Sequence, residues 1–338
     1  MARAVLVFVL LVAAPARAQV AVSVQLNPEG ESLASSIGIS AAELAMRIEG
    51  RINDAYGAAN VGGFLRSFAD ATAFSMRGLG VDYASDPNSL VLGVGINLAI
   101  AASSEITADE RPTAGLAANI GFMAGLNLSG QGAPRWTVFA NGFYRKGGTE
   151  SLRGGITSAG LHAQYRLANP QVDQGAARIL RWGGIDVTAG LEFTRWHLDV
   201  EDSITTSFEV QGSSGSAALD VESTGTFDLS SSTVTVPVEV TTGIRIALLL
   251  SLYVGAGVDF TAGTGKLDAN LTGTLRTTDD RDIGTTTITG GGDNTASPVA
   301  ARILAGAQLN LWKLKVYAQV NGSPTPAASV GFGIRGVL

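Results

Sequence analysis

Between Leu90 and Leu128 the chain alternates residue by residue in two long runs, and this period constrains its fold more than any other feature. Leu90, Leu92, Val94, Ile96, Leu98 and Ile100 are bulky, and Val91, Gly93, Gly95, Asn97, Ala99 and Ala101 lie between them. After a polar turn, Leu116, Ala118, Ile120, Phe122, Ala124, Leu126 and Leu128 alternate with Gly115, Ala117, Asn119, Gly121, Met123, Gly125 and Asn127. A period of two puts bulky groups on one face of a strand and small or polar groups on the other. Each run exceeds about ten residues, where strands of soluble domains have about five or six. Long strands of this kind suit a barrel wall with lipid outside and water or a packed element inside.

Residues 1–18 read as an export leader, with Arg3, the apolar run Ala4–Ala14 and the small-x-small site Ala16-Arg17-Ala18. The apolar run is shorter than the roughly 20 residues that span a bilayer. Without Arg3 and Arg17 the remaining chain has 21 basic and 29 acidic residues, a net charge of −8. An acidic balance argues against nucleic acid as a partner. No cysteine is present, which excludes disulfides and thiolate chemistry.

Before the barrel, residues 19–87 form a separate segment. Gln19–Asn27 alternates briefly. Ser40-Ala41-Ala42-Glu43 has the spacing of a capping box, and Leu44, Ile48 and Ile52 follow at helical spacing until Gly57. A second helical stripe is Val61, Phe64, Leu65 and Phe68; Phe74–Ala84 is ambiguous, and Ser85–Asn88 signals a turn. From residue 88 onward, alternation marks ten strands near 89–102, 113–128, 135–146, 154–168, 184–198, 232–246, 249–262, 298–311, 314–322 and 327–338. The fold class predicted is an all-β, antiparallel transmembrane barrel of ten strands, or twelve if Val20–Leu26 and Phe74–Ala84 join it. The two longest connections, 199–231 and 263–297, fall at one end, with Ile204–Val210, Ala217–Val221 and Lys266–Leu275 alternating enough to continue as a ribbon. Trp136, Trp182 and Trp312 fall at the other end, with Tyr165 nearby, and Tyr144, Phe193 and Phe260 mark the opposite girdle. Trp182 precedes Gly183-Gly184 and is out of phase through a bulge.

The chain ends on a further alternating run, Val330, Phe332, Ile334, Gly336 and Leu338. With the leader and the strands over residues 88–338, it resembles the bacterial outer-membrane β-barrel superfamily, in architecture and not in any one family. The resemblance implies outer-membrane lipid around the belt and the barrel-insertion machinery as a partner through the last strand. It also implies long connections outside and both termini in the periplasm.

By parity the lumen receives Arg145, His162, Gln164, Arg166, Asp186, Glu192, Glu239, Arg245, Asp259, Arg302, Gln308 and Arg335. Mixed signs suit either a network of mutual pairs or a charged eyelet. Ser158 and His162 lie four apart on one strand face, about 13 Å at the usual rise, too far for a nucleophile and its base. His197 reads as a lone rim histidine. The acidic connections match no calcium-loop spacing. No catalytic residue, cofactor or metal is therefore expected. The functions weighed are a small passive channel or plugged pore, and a non-transporting scaffold whose acidic outer loops or N-terminal helices meet a protein partner. A lipid-modifying barrel enzyme is the remote third. Because the wall at residues 93–125 is stripped to Gly and Ala, the segment 40–70 either enters the lumen as a plug, with Leu44, Ile48 and Ile52 against that wall, or lies at the periplasmic mouth or on another protein, the small residues then fitting tight barrel curvature.

Overall fold

The computed structural model describes residues 19–57, 60–84, 90–102, 114–170 and 179–338. The leader, the turn at 85–88 and the connection 103–112 lie outside the described residues. Among the described residues twelve strands are present: β1 (Gln19–Leu26), β2 (Leu90–Ala102), β3 (Ala114–Asn127), β4 (Trp136–Gly148), β5 (Leu152–Ala168), β6 (Leu180–Gln211), β7 (Ser216–Ile246), β8 (Leu250–Thr277), β9 (Asp282–Thr295), β10 (Val299–Leu311), β11 (Leu314–Ser323) and β12 (Ala327–Val337). The helices are α1 (Pro28–Ser36), α2 (Ala41–Gly57) and α3 (Val61–Phe74). Among the described residues no helix is long and apolar enough to cross a membrane.

Ten strands close a ring, β2 through β8 followed by β10, β11 and β12, with β12 pairing back onto β2. These are the ten that alternation predicts. Their outward residues, among them Leu92, Ile96, Leu116, Phe122, Ile303 and Phe332, are exposed as an apolar belt. Asn97, Asn119, Glu192, Asp259 and Arg335 point inward and are buried. The register shifts between Trp182 and Ile185, where Gly184 adopts φ +89°, so the bulge expected beside Trp182 is present. Trp312 is 85 % exposed at the tight turn between β10 and β11.

The wall has one irregular seam. Pairing of β3 with β4 stops at Phe122 opposite Gly142, although β3 continues along β2 to Ala114 and β4 along β5 to Gly148. Unpaired backbone groups at this depth need side-chain partners. Trp196 of β6 supplies one, its indole N–H donating to the Ala118 carbonyl at 2.9 Å, and the Ile120 amide donates to the Asn119 side chain at 2.9 Å. Where β4 departs from the ring, Arg145 is exposed. Its parity is inward, but β4 has no pairing to β3 beyond Gly142, so the wall does not enclose its side chain.

Beyond one rim the wall continues as a second structure. β8 pairs with β10 through Phe260 and with β9 from Thr264, so one strand passes from ring to cap. The cap sheet runs β1-β9-β8-β7-β6. The stretches 199–231 and 263–297 are thus paired strands rather than loops, because their alternation buries one face under helices. Leu44 and Ile48 of α2 are fully buried and Ile52 nearly so, against Leu219, Val221, Leu271, Leu275 and Ile288. The helical stripe therefore packs on the cap and not on the Gly/Ala wall. A two-residue period and a 3.6-residue period meet face to face there, and the cap offers larger apolar partners than the wall does. Asn27 caps α1 by accepting from the Gly30 amide at 2.9 Å. The Ser40 hydroxyl accepts from the Glu43 amide at 3.1 Å, while Glu43 itself turns to Arg47 at 2.6 Å, so the capping box is half made.

β1 is a strand but belongs to the cap, and Phe74–Ala84 contains no strand. Among the described residues there are twelve strands, yet the ring keeps ten. Because β1 lies in the cap, the two chain ends described are at opposite ends of the barrel, and Leu338 pairs with Leu90 at the short-turn end. The expectation of both termini on one side is therefore corrected: the chain runs down the lumen before β2 begins.

Candidate functional site: the plugged lumen

α3 enters the lumen from the cap end, and residues 75–84 continue to the other mouth. Asn60 caps the helix by accepting from the Gly63 amide at 2.7 Å. Two glycines let the helix backbone lie against the wall. A Cβ on Gly115 would sit 2.2 Å from the Phe68 nitrogen, and one on Gly265 would sit 2.3 Å from the Leu65 carbonyl. Below these, Ala71 packs on Ala101 and Ala117. Phe68 meets Trp196 edge-on at 6.2 Å, sealing the seam from inside. The small wall residues thus do receive a plug, and it is α3 with its trailing segment.

Past the helix the backbone is held by wall side chains. The Asn97 amide donates to the Phe74 and Ser75 carbonyls at 3.1 and 3.0 Å. Tyr317 donates its hydroxyl to the Gly78 carbonyl at 3.3 Å. Leu79 packs over Gly121 and Gly95, and Val81 joins Val91, Met123 and Phe139.

Charges complete the arrangement. Arg77 of the plug reaches Glu192 at 2.7 Å and Asp259 at 3.4 Å. Arg302 of the wall holds Asp259 through both carboxylate oxygens at 3.1 Å and also pairs with Glu239. His162 shares Glu192 at 3.0 Å. Lower down, Arg335 pairs with plug Asp82 at 3.1 Å and donates to the Val81 carbonyl at 2.7 Å, its guanidinium stacked 3.7 Å from the Tyr317 ring. Taken alone, the wall of this region holds Glu192, Glu239 and Asp259 against Arg302, and Arg335 has no wall carboxylate. Arg77 and Asp82 each bring the missing sign. Isolated buried charges are costly, so the empty wall is electrostatically incomplete.

Of the other lumen candidates, two join this centre and the rest lie away from it. Arg166 and Asp186 pair with each other at 3.4 Å near the short-turn mouth, beside Arg245 and Tyr83. Gln308 accepts from Arg335 at 3.3 Å, and Gln164 donates to the Asp82 carbonyl at 3.4 Å. Ser158 donates to Asn119 rather than approaching His162. At the rim His197 is not alone: it lies 3.0 Å from Asp199 and 3.3 Å from Asp228. Sequence parity could not find Arg77 or Asp82, since both sit in a stretch with neither period. The available signal was their charge in an otherwise apolar segment between helix and strand. Pockets at the two ends of the plug hold only about 30 Å³ each, one beside Tyr83 and Arg166, the other beside Asp70 and Ser297.

A ten-stranded antiparallel ring, an exposed apolar belt and a lumen filled by the chain's own segment define a plugged β-barrel of the outer-membrane type. The chain belongs to the Lsa36-like family, whose model matches residues 15–337. No curated protein matches the sequence. Among solved structures, it is similar to the translocator domain of the autotransporter NalP from Neisseria meningitidis, at 10 % identity and TM-score 0.35, covering 80 % of this chain and 99 % of that one. It is also similar to the Pseudomonas putida toluene transporter TodX, at 10 % identity and TM-score 0.25, covering 77 % and 96 %. The transport unit of AIDA-I from Escherichia coli matches at 10 % identity and TM-score 0.21, covering 82 % and 99 %. At these scores the likenesses carry no argument about activity.

Proposed function

We propose that this protein is a closed outer-membrane barrel that anchors a folded cap on the cell surface, rather than an open channel or an enzyme. The observation that carries the reading is the pairing of plug residues Arg77 and Asp82 with buried wall charges: Arg77 with Glu192 and Asp259, which among the described residues share only His162 and Arg302 on the wall, and Asp82 with Arg335. Short turns and the C-terminus at one end, with the extended hairpins at the other, support an outward-facing cap by the usual asymmetry of such barrels.

The cap has a surface suited to contact. Its face away from the helices carries exposed Ser203, Thr224, Thr272, Thr287 and Ser23 in one register row across all five strands. The next row holds Thr205, Glu222, Thr274, Thr285 and Gln25. Short hydroxyl side chains with scattered carboxylates form a flat hydrogen-bonding surface, in keeping with a role in contact rather than transport.

Conductance tests the reading. The full chain in planar bilayers should pass little steady current. Gly115→Leu, which drives a side chain into the Phe68 backbone, should open it. A large steady conductance from the unaltered chain would overturn the closed-barrel reading.

A further inference from the structure

The path of the plug has a direction. Plug residue numbers rise as the wall contacts descend: Gly62 meets Asn294, Asp70 meets Ser297, Phe74 and Ser75 meet Asn97, Leu79 meets Gly121, and Asp82 meets Arg335. One covalent chain thus passes from the cap, through the whole ring, to the mouth where β2 begins.

We infer that the protein delivers its own N-terminal unit, β1 with α1 and α2, to the outer face through its own lumen. This rests on the reading that the cap faces outward. A chain that reaches the outer membrane from inside the cell must move residues 19–60 past the bilayer, and the threaded segment 61–84 marks the route. The single helix α3 already meets the wall at Gly115, Gly265, Ala101 and Ala117, leaving no room for a folded unit of one strand and two helices, so the unit crosses unfolded and folds beyond the rim. Its partners wait there: Leu44, Ile48 and Ile52 bury against β7, β8 and β9, and β1 pairs along β9 from Gln19 opposite Gly291 to Leu26 opposite Gly284. Ile37 holds the tip of the β6–β7 hairpin, its carbonyl accepting from the Ser214 amide at 2.9 Å. Folding on the far side therefore draws the chain outward, and Arg77 and Asp82 fix it when α3 is seated.

The absence of cysteine permits a clean test. Single variants Ser23→Cys on β1, Thr224→Cys on the cap sheet and Lys313→Cys at the short turn are exposed to an impermeant maleimide on intact cells. We expect Ser23→Cys and Thr224→Cys to react to equal extents, and Lys313→Cys to react only after the outer membrane is opened. Reaction of Thr224→Cys with protection of Ser23→Cys overturns the inference while leaving the outward cap intact. Protection of both, with Lys313→Cys reactive, overturns the orientation on which it rests. For the route, a small disulfide-closed domain carrying an epitope is fused ahead of Gln19, beside a cysteine-free version that cannot fold. Surface epitope from the unfolded version alone supports passage through the lumen. Equal surface display of the folded domain overturns it.

Discussion

At the residue scale, Arg77 matters because two buried carboxylates depend on it. Glu192 and Asp259 are almost wholly buried, and His162 and Arg302 meet only part of their charge. Removing one partner of a buried pair costs about 3–5 kcal/mol, since the other charge stays desolvated. Arg77→Ala should therefore loosen the plug by about that amount, visible as flickering conductance and as lowered stability to denaturant in detergent. Exchanging the whole set for apolar residues of like volume should cost much less, which separates the penalty of an orphaned charge from the net worth of the pair. A silent Arg77→Ala trace, with unaltered stability, would show that the plug is held by shape alone.

At the element scale, α2 and α3 have similar amphipathic stripes and different destinations. α2 presents Leu44, Ile48 and Ile52 to large apolar cap residues; α3 brings its backbone close to Gly115 and Gly265. Leu44→Ala should cost about 2–5 kcal/mol, as core truncations do. The loss should be local. Amide exchange in β1, α1 and α2 should accelerate, while the ring keeps its protection, because α2 touches no ring residue at membrane depth among its core partners. Equal loss of protection in ring and cap would show that the two fold as one unit.

At the scale of the whole molecule, the belt decides where the protein resides. Leu92, Ile96, Leu116, Phe122 and Ile303 are exposed in a band that water would penalise and hydrocarbon accepts. The chain should remain in membranes through carbonate extraction. Ile96→Arg, near mid-strand, should cost about 2–4 kcal/mol of insertion free energy, measured by refolding into bilayers. The substitution is tolerated without penalty only if that face is not toward lipid.

Much of this architecture is legible in the sequence, and the divide follows from what periodicity reports. Alternation depends on which face of a strand is bulky, so all ten ring strands, the ribbon beyond the rim and the inward parity of Glu192, Asp259, Arg302 and Arg335 can be read directly. The helical stripes at Leu44–Ile52 and Val61–Phe68 are legible for the same reason. A period states that a face is buried, not against what. Only the tertiary structure decided that α2 covers the cap and α3 fills the lumen, that β1 pairs with β9, and that Arg145 leaves the ring at the β3–β4 seam. It also placed Arg77 and Asp82, which lie more than 100 residues along the chain from the carboxylates and Arg335 that they meet. Those pairings are set by long-range closure of the barrel around its own chain, and no local pattern of residues encodes that.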